Sequence, residues 1–171
     1  IGARYNDGNG SNSGHVRVYS FDATSSQWNQ MGEDIDGEAA NDQFGECVSL
    51  SSDGNIVAIG APKNNDGSRT DSGHVRVFSF NAASSQWNQM GEDIDGEAAS
   101  DQSGQSVSLS SDGNIVASSD DTNDGNDGNV SWSGHVRVYS FNDTSSQWNQ
   151  MGEDIDGEAA DDGSGWSVSL S

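Results

Sequence analysis

The sequence predicts an all-β protein assembled from repeated four-stranded antiparallel sheets. Three observations predict it. A 28-residue block recurs three times along the 171 residues. Short apolar runs alternate with small polar residues and are separated by Asn, Asp, Gly and Ser clusters, as strands and turns require. No window carries a helical period longer than one turn.

The block spans 13–40, 72–99 and 133–160. The second copy matches the first at 25 of 28 positions and the third matches it at 26 of 28. His15, His74 and His135 set the period at 59 and then 61 residues. A second block, 46–58, returns at 105–117, and 166–171 begins it again. Near-identity of this kind marks recent duplication, so presence in every copy is no sign of function.

Each unit divides into four strands. The first is 47–51, where Val48 and Leu50 alternate with small residues. Ser52-Asp53-Gly54 makes the turn, with Gly free to take positive φ. The second, 55–61, is nearly continuous in apolar residues and suits a strand covered on both faces. A polar loop leads to the third, 74–80, in which Val75 and Val77 face one way and His74, Arg76, Phe78 and Phe80 the other. The fourth, 86–94, carries Trp87 and Met90. Four strands in about 60 residues, repeated, read as blades of a β-propeller, in which each blade shares its apolar layers with two neighbours. A β-helix is the weaker alternative, because its coils repeat at much shorter periods.

The sharing of layers explains a sparse composition. Leu, Ile, Val and Phe number 27 of 171, a level that scattered residues would make disordered. Six basic against 28 acidic side chains give a net charge of −22. Such a surface repels phosphate, which excludes nucleic acid as a partner. It also repels anionic lipid, and no apolar stretch approaches the ~20 residues of a membrane span. Cys47 is alone, so no disulfide framework exists. It stands where other units carry Ser106 and Ser167 and reads as drift.

Phe44-Gly45 before the first strand and Gly60-Ala61-Pro62 at the end of the second resemble the FG-GAP repeat, the blade type of integrin α-chain propellers. The third unit departs from it, with Ser103-Gly104 and Ser118-Ser119-Asp120, and the first keeps only Gly2-Ala3-Arg4. The resemblance implies a ring of seven blades, roughly 420 residues at this period. The expected organisation is therefore an incomplete propeller of about three of seven blades: a partial blade at 1–43, blades at 44–102 and 103–163, and the first strand of another at 164–171. The remaining blades of the parent chain would then be partners.

The resemblance also implies calcium as a cofactor. FG-GAP blades hold it in a D-x-[DN]-x-D-G-x-x-D loop between strands one and two, where alternating oxygens wrap a hard cation. Here that box keeps one carboxylate per loop, and Asp53 and Asp112 read as turn residues. The metal candidate is instead the third unit's loop between strands two and three: Asp120, Thr122, Asp124 and Asp127. Its aligned positions are Ala3, Tyr5 and Asp7 in the first unit and Pro62, Asn64 and Asp66 in the second. The thrice-repeated Gly-Glu-Asp-Ile-Asp-Gly-Glu run puts Asp93, Asp95 and Glu97 on one face of an extended strand and reads as a solvated acidic rim. His15, His74 and His135 read as surface residues at strand starts. Trp28, Trp87 and Trp148 read as packing residues, with glycan stacking as the sharper alternative.

No nucleophile elbow or paired acid and base is visible. The expected function is a non-enzymatic, calcium-assisted recognition or adhesion module, extracellular or on the cell surface, that binds a protein or glycan. Two alternatives stand beside it: an acidic structural scaffold without a specific ligand, and a propeller-fold hydrolase or lyase.

Overall fold

A computed structural model describes residues 1–122 and 132–171. No helix occurs among them. The strands pair antiparallel throughout. In the first unit, β1 (Gly2–Ala3), β2 (His15–Val16) and β5 (Ile35–Asp36) form one sheet, beside the hairpin of β3 (Tyr19–Asp22) and β4 (Gln27–Gln30). The second unit runs β6 (Val48–Leu50), β7 (Ile56–Ala61) and β8 (His74–Asn81), with β9 (Gln86–Gln89) and β10 (Ile94–Asp95) both on β8. The third repeats this with β11 (Val107–Leu109), β12 (Ile115–Asp120), β13 (His135–Asn142), β14 (Gln147–Gln150) and β15 (Ile155–Asp156). These are propeller-type blades.

Alternation along β7 and β8 builds the shared layers. Val57, Ile59 and Phe78 join Val16, Val18 and Phe44 in the layer against the first unit. Ala58, Val75 and Val77 join Val107, Leu109 and Tyr139 in the layer against the third. A modest apolar content suffices because the middle sheet is covered twice.

Polar contacts fix the spacing of the blades. The Trp87 indole N–H donates to the Met31 carbonyl and that of Trp148 to Met90, each at 2.7 Å. Both act as packing residues; Trp28, which meets no such neighbour, is 67% exposed. In the first strands, Cys47 Sγ and Ser49 Oγ accept the Val107 and Leu109 backbone N–H groups at 3.2 and 2.9 Å. Ser106 and Ser108 accept those of Val168 and Leu170. Position 47 thus needs a small acceptor at the seam, which sulfur and hydroxyl both supply. Asp53 and Asp112 are turn residues as expected: each carboxylate accepts from the Ser and Asn of its own hairpin.

Two expectations need correction. The fourth strand is not continuous over 86–94. Phe78 pairs with Gln89 and Val75 with Ile94, so four residues, 90–93, oppose two on β8. Gly91, at φ +72°, turns the chain out of the ladder. The alignment of Asp120 with Pro62 is also displaced by one. Asp120 pairs with His135 where Ala61 pairs with His74 and Ala3 with His15. The longer loop of the third unit hides this register.

Candidate functional site

The interrupted fourth strand creates the site. By bulging opposite Arg76, it carries Asp93 back over His74 and Arg76, which share one face of β8. Asp93 Oδ2 lies 3.4 Å from His74 Nδ1, and Oδ1 lies 3.6 Å from Arg76 Nε. Gln89 ties the group together, accepting from Arg76 at 2.8 Å and donating to Asp93 at 2.7 Å. Glu38, from the acidic run of the preceding unit, reaches Arg76 at 3.4 Å. The first unit repeats the core of this group: Arg17 donates to Asp34 at 2.8–3.0 Å, and the hydrogen bonds from Arg17 hold the Asp34 carboxyl below its ordinary range.

The three histidines are therefore not surface residues. His15, His74 and His135 are all buried. Arg and Asp cover the imidazole, so a polar residue at a strand start is drawn inside. Burial, opposed only partly by Asp93, pushes His74 down to about 4. Its folded value lies below the unfolded ~6.5, so the unfolded state binds more protons between them. Its contribution is complete above about pH 6.5 and is lost as pH falls towards 4, about 3 kcal/mol in all at about 1.4 kcal/mol per unit. Denaturant melts across this window should show the slope, and His74→Phe should flatten it; an unchanged slope would refute the assignment.

The third unit adds one charge. Asp120, fully buried, accepts from Arg137 at 3.1 Å and pairs with His135 Nε2 at 2.8 Å. Arg137 also donates to the Asp95 carbonyl at 3.0 Å and lies over the Tyr139 ring at 5.8 Å. Burial is the largest influence and works against a charged His135, but the hydrogen bond and charge of Asp120, with the charge of Asp154, together outweigh it, and His135 is raised above the ordinary imidazole value. Its other nitrogen, Nδ1, faces Asp154 Oδ2 at 3.7 Å and Asp156 Oδ1 at 4.0 Å. Glu97 comes from the preceding unit, 3.6 Å from Arg137.

Beside these clusters lie two clefts between blades. One, about 350 Å³, is lined by Glu33, Asp34 and Asp36 together with Arg76, Phe78 and Trp87. The other, about 170 Å³, is lined by the repeat equivalents Glu92, Asp93 and Asp95 with Tyr139, Gln147 and Trp148.

Two of the four expected calcium ligands, Asp120 and Thr122, lie among the described residues. Asp120 Oδ2 is engaged by His135 and Arg137. The Thr122 hydroxyl donates to the Ser100 and Asp101 carbonyls. Asp124 and Asp127 lie outside the described residues. The site residues that sequence reasoning missed as a set are His, Arg, Gln and Asp of one unit with Glu of the unit before. The H-x-R and Q-x-x-x-D spacings, repeated three times, were the available signal.

The FG-GAP repeat matches residues 35–78. No curated protein matches the chain. Among solved structures, a protein of Bacteroides uniformis assigned as a 6-phosphogluconolactonase is similar at TM-score 0.52 and 14% identity, covering 82% of this chain and 34% of that one. Another so assigned, from Bacteroides fragilis, is similar at TM-score 0.50 and 12% identity, over 94% of this chain and 39% of that one. The chain thus spans between a third and two fifths of the length of these proteins. At such identity the likeness establishes the fold. It corrects the expectation of a non-enzymatic adhesion module, because the proteins sharing the fold are assigned as enzymes; the hydrolase alternative agrees better with them. No helix among the described residues is long and apolar enough to cross a membrane.

Proposed function

We propose that this FG-GAP-repeat chain contributes to a propeller-fold hydrolase that opens the ring ester of a neutral polyhydroxy acid. The observation that carries the reading is the buried Asp120–His135 pair, with Nδ1 turned towards Asp154 and a carboxylate oxygen of Glu97 within 4.8 Å of the imidazole and of Asp154. Carboxylates set this way are placed to take the proton of a water attacking an acyl carbon. The carbon–oxygen bond of the ring then breaks and the leaving alkoxide is protonated. The clefts suit the rest of such a substrate: Trp87 or Trp148 offers an apolar face and the carboxylates accept from hydroxyl groups.

Charge selects among lactones. The similar folds belong to proteins assigned as acting on a phosphorylated lactone. A chain of net charge −22, with carboxylate-lined clefts, disfavours a phosphate group. We therefore expect turnover of gluconic acid δ-lactone in preference to its 6-phosphate. Acid release in a pH-stat would test this, with spontaneous opening subtracted. Glu97→Gln combined with Asp154→Asn should remove about 100-fold or more of the rate. Release at the spontaneous rate, or a rate indifferent to both substitutions, would overturn the reading.

A further inference from the structure

We infer that Glu97, His135 and Asp154 bind a divalent transition ion of the zinc or manganese class at the seam between the second and third blades. One donor atom from each of the three lies within 4.8 Å of the others, a span that one ion at ordinary bond lengths closes with small side-chain movements. His135 is buried completely and its Nδ1 has no hydrogen-bond partner. That nitrogen faces Asp154 and Asp156, at distances too long for hydrogen bonds and with only acceptors opposite. An electron pair aimed at carboxylates is stable only with a proton or a cation between them, and an ion takes the place of that proton.

The surroundings are those of a ligand set. Asp120 fixes Nε2 of the imidazole at 2.8 Å, the carboxylate–histidine support that metal-bound histidines commonly have. Gln150 donates to Asp154 Oδ1 at 2.6 Å and leaves Oδ2 for the ion. Arg137 lies 3.6 Å from Glu97, beyond hydrogen-bonding distance, so Glu97 is free to turn. Charge agrees: four carboxylates, those of Glu97, Asp120, Asp154 and Asp156, face the guanidinium of Arg137 and the imidazole of His135, an excess of acid even with His135 protonated. One nitrogen among the ligands favours a borderline transition ion over calcium, which prefers oxygen alone.

The second unit supplies an internal control. Glu38, His74 and Asp93 also come within 4.8 Å of one another. There Ala61 stands where the third unit has Asp120, and the unpartnered buried nitrogen of His74 is Nε2, while Nδ1 faces Asp93. Among the described residues no carboxylate supports the Nε2 of that ring as Asp120 supports His135. Among the described residues we assign one tight site.

Ion binding stands apart from the hydrolase reading; only its catalytic consequence, activation of the attacking water, rests on it. The test is equilibrium dialysis of the full chain against zinc and, separately, manganese, followed by metal analysis. One ion per chain is expected. Glu97→Gln, at a residue whose side chain is 46% exposed, should weaken binding at least about tenfold with the circular dichroism spectrum unchanged. Asp120→Asn should weaken it about 10–100-fold through the imidazole. Glu38→Gln should leave it unchanged. Absence of uptake, uptake indifferent to Glu97→Gln, or equal loss with Glu38→Gln would each overturn the assignment. Uptake without lactone turnover would support the site and remove the hydrolase reading; turnover without uptake would do the reverse.

Discussion

Asp120→Ala should lower the unfolding free energy by about 3 kcal/mol, the low end of the ~3–5 kcal/mol that follows removal of one partner from a buried ion pair. The carboxylate is fully buried and faces both Arg137 and His135, so its loss strands two polar groups in a dry seam. The repeat itself explains why the low end applies. Ala61 occupies the same register position in the second unit, and there the arginine lies the other way, on Gln89 and near Asp93. Arg137 can follow that path towards Gln150 and Asp154, recovering part of the cost. Denaturant midpoints at constant m would measure the loss. Adding Arg137→Met should return about 1 kcal/mol or more, because the buried guanidinium that Asp120 neutralised is then gone. A single-variant loss below about 1 kcal/mol would show that Asp120 contributes little to stability.

The same residue shows what sequence alone could and could not reveal. Blade strands were legible, because Val75 and Val77 alternate with larger residues and Ile56 to Ile59 run without a break. Layers on both faces of one sheet follow from that pattern. The burial of His74 was not legible. A histidine beside an arginine at a strand start has the pattern of an exposed edge, and only the chain turning at Gly91 brings Asp93 over it. Read as extended, Asp93, Asp95 and Glu97 share a face. Folded, Asp93 joins its own unit while Glu97 joins the next, beside Arg137. Contacts of this kind, between residues 40 apart on different blades, leave no local trace. The register of Asp120 was concealed by the longer loop before His135, so it aligned with Pro62 when the ladder aligns it with Ala61. Function was least legible. The FG-GAP likeness identified the blade correctly, but the adhesion role read from it is the part that the comparison with solved structures corrects.

Gly60→Val should be as costly as loss of Asp120 or more, and for steric reasons. A Cβ on Gly60 would stand 2.0 Å from the Gly104 carbonyl oxygen and 2.8 Å from its carbon, both backbone atoms of the next blade. Neither can rotate away. Gly60 also donates to the Cys47 carbonyl at 2.9 Å and accepts from Gly45 at 3.0 Å, so it cannot retreat without breaking its own sheet. Relief requires the second and third sheets to part, which loosens the layer of Val75, Val77, Val107 and Leu109. Overpacking of this kind costs about 1–3 kcal/mol where side chains can adjust and more where they cannot. We expect about 3 kcal/mol for Gly60→Ala and failure to fold for Gly60→Val. The third unit provides the comparison, because Ser119 holds the equivalent register position opposite Gly165. Ser119→Ala should therefore cost less than Gly60→Ala, losing mainly the hydrogen bonds between Ser119 Oγ and Ser106. Equal, small effects at positions 60 and 119 would mean that the two seams tolerate a side chain alike, and that close backbone approach does not set the spacing of these blades.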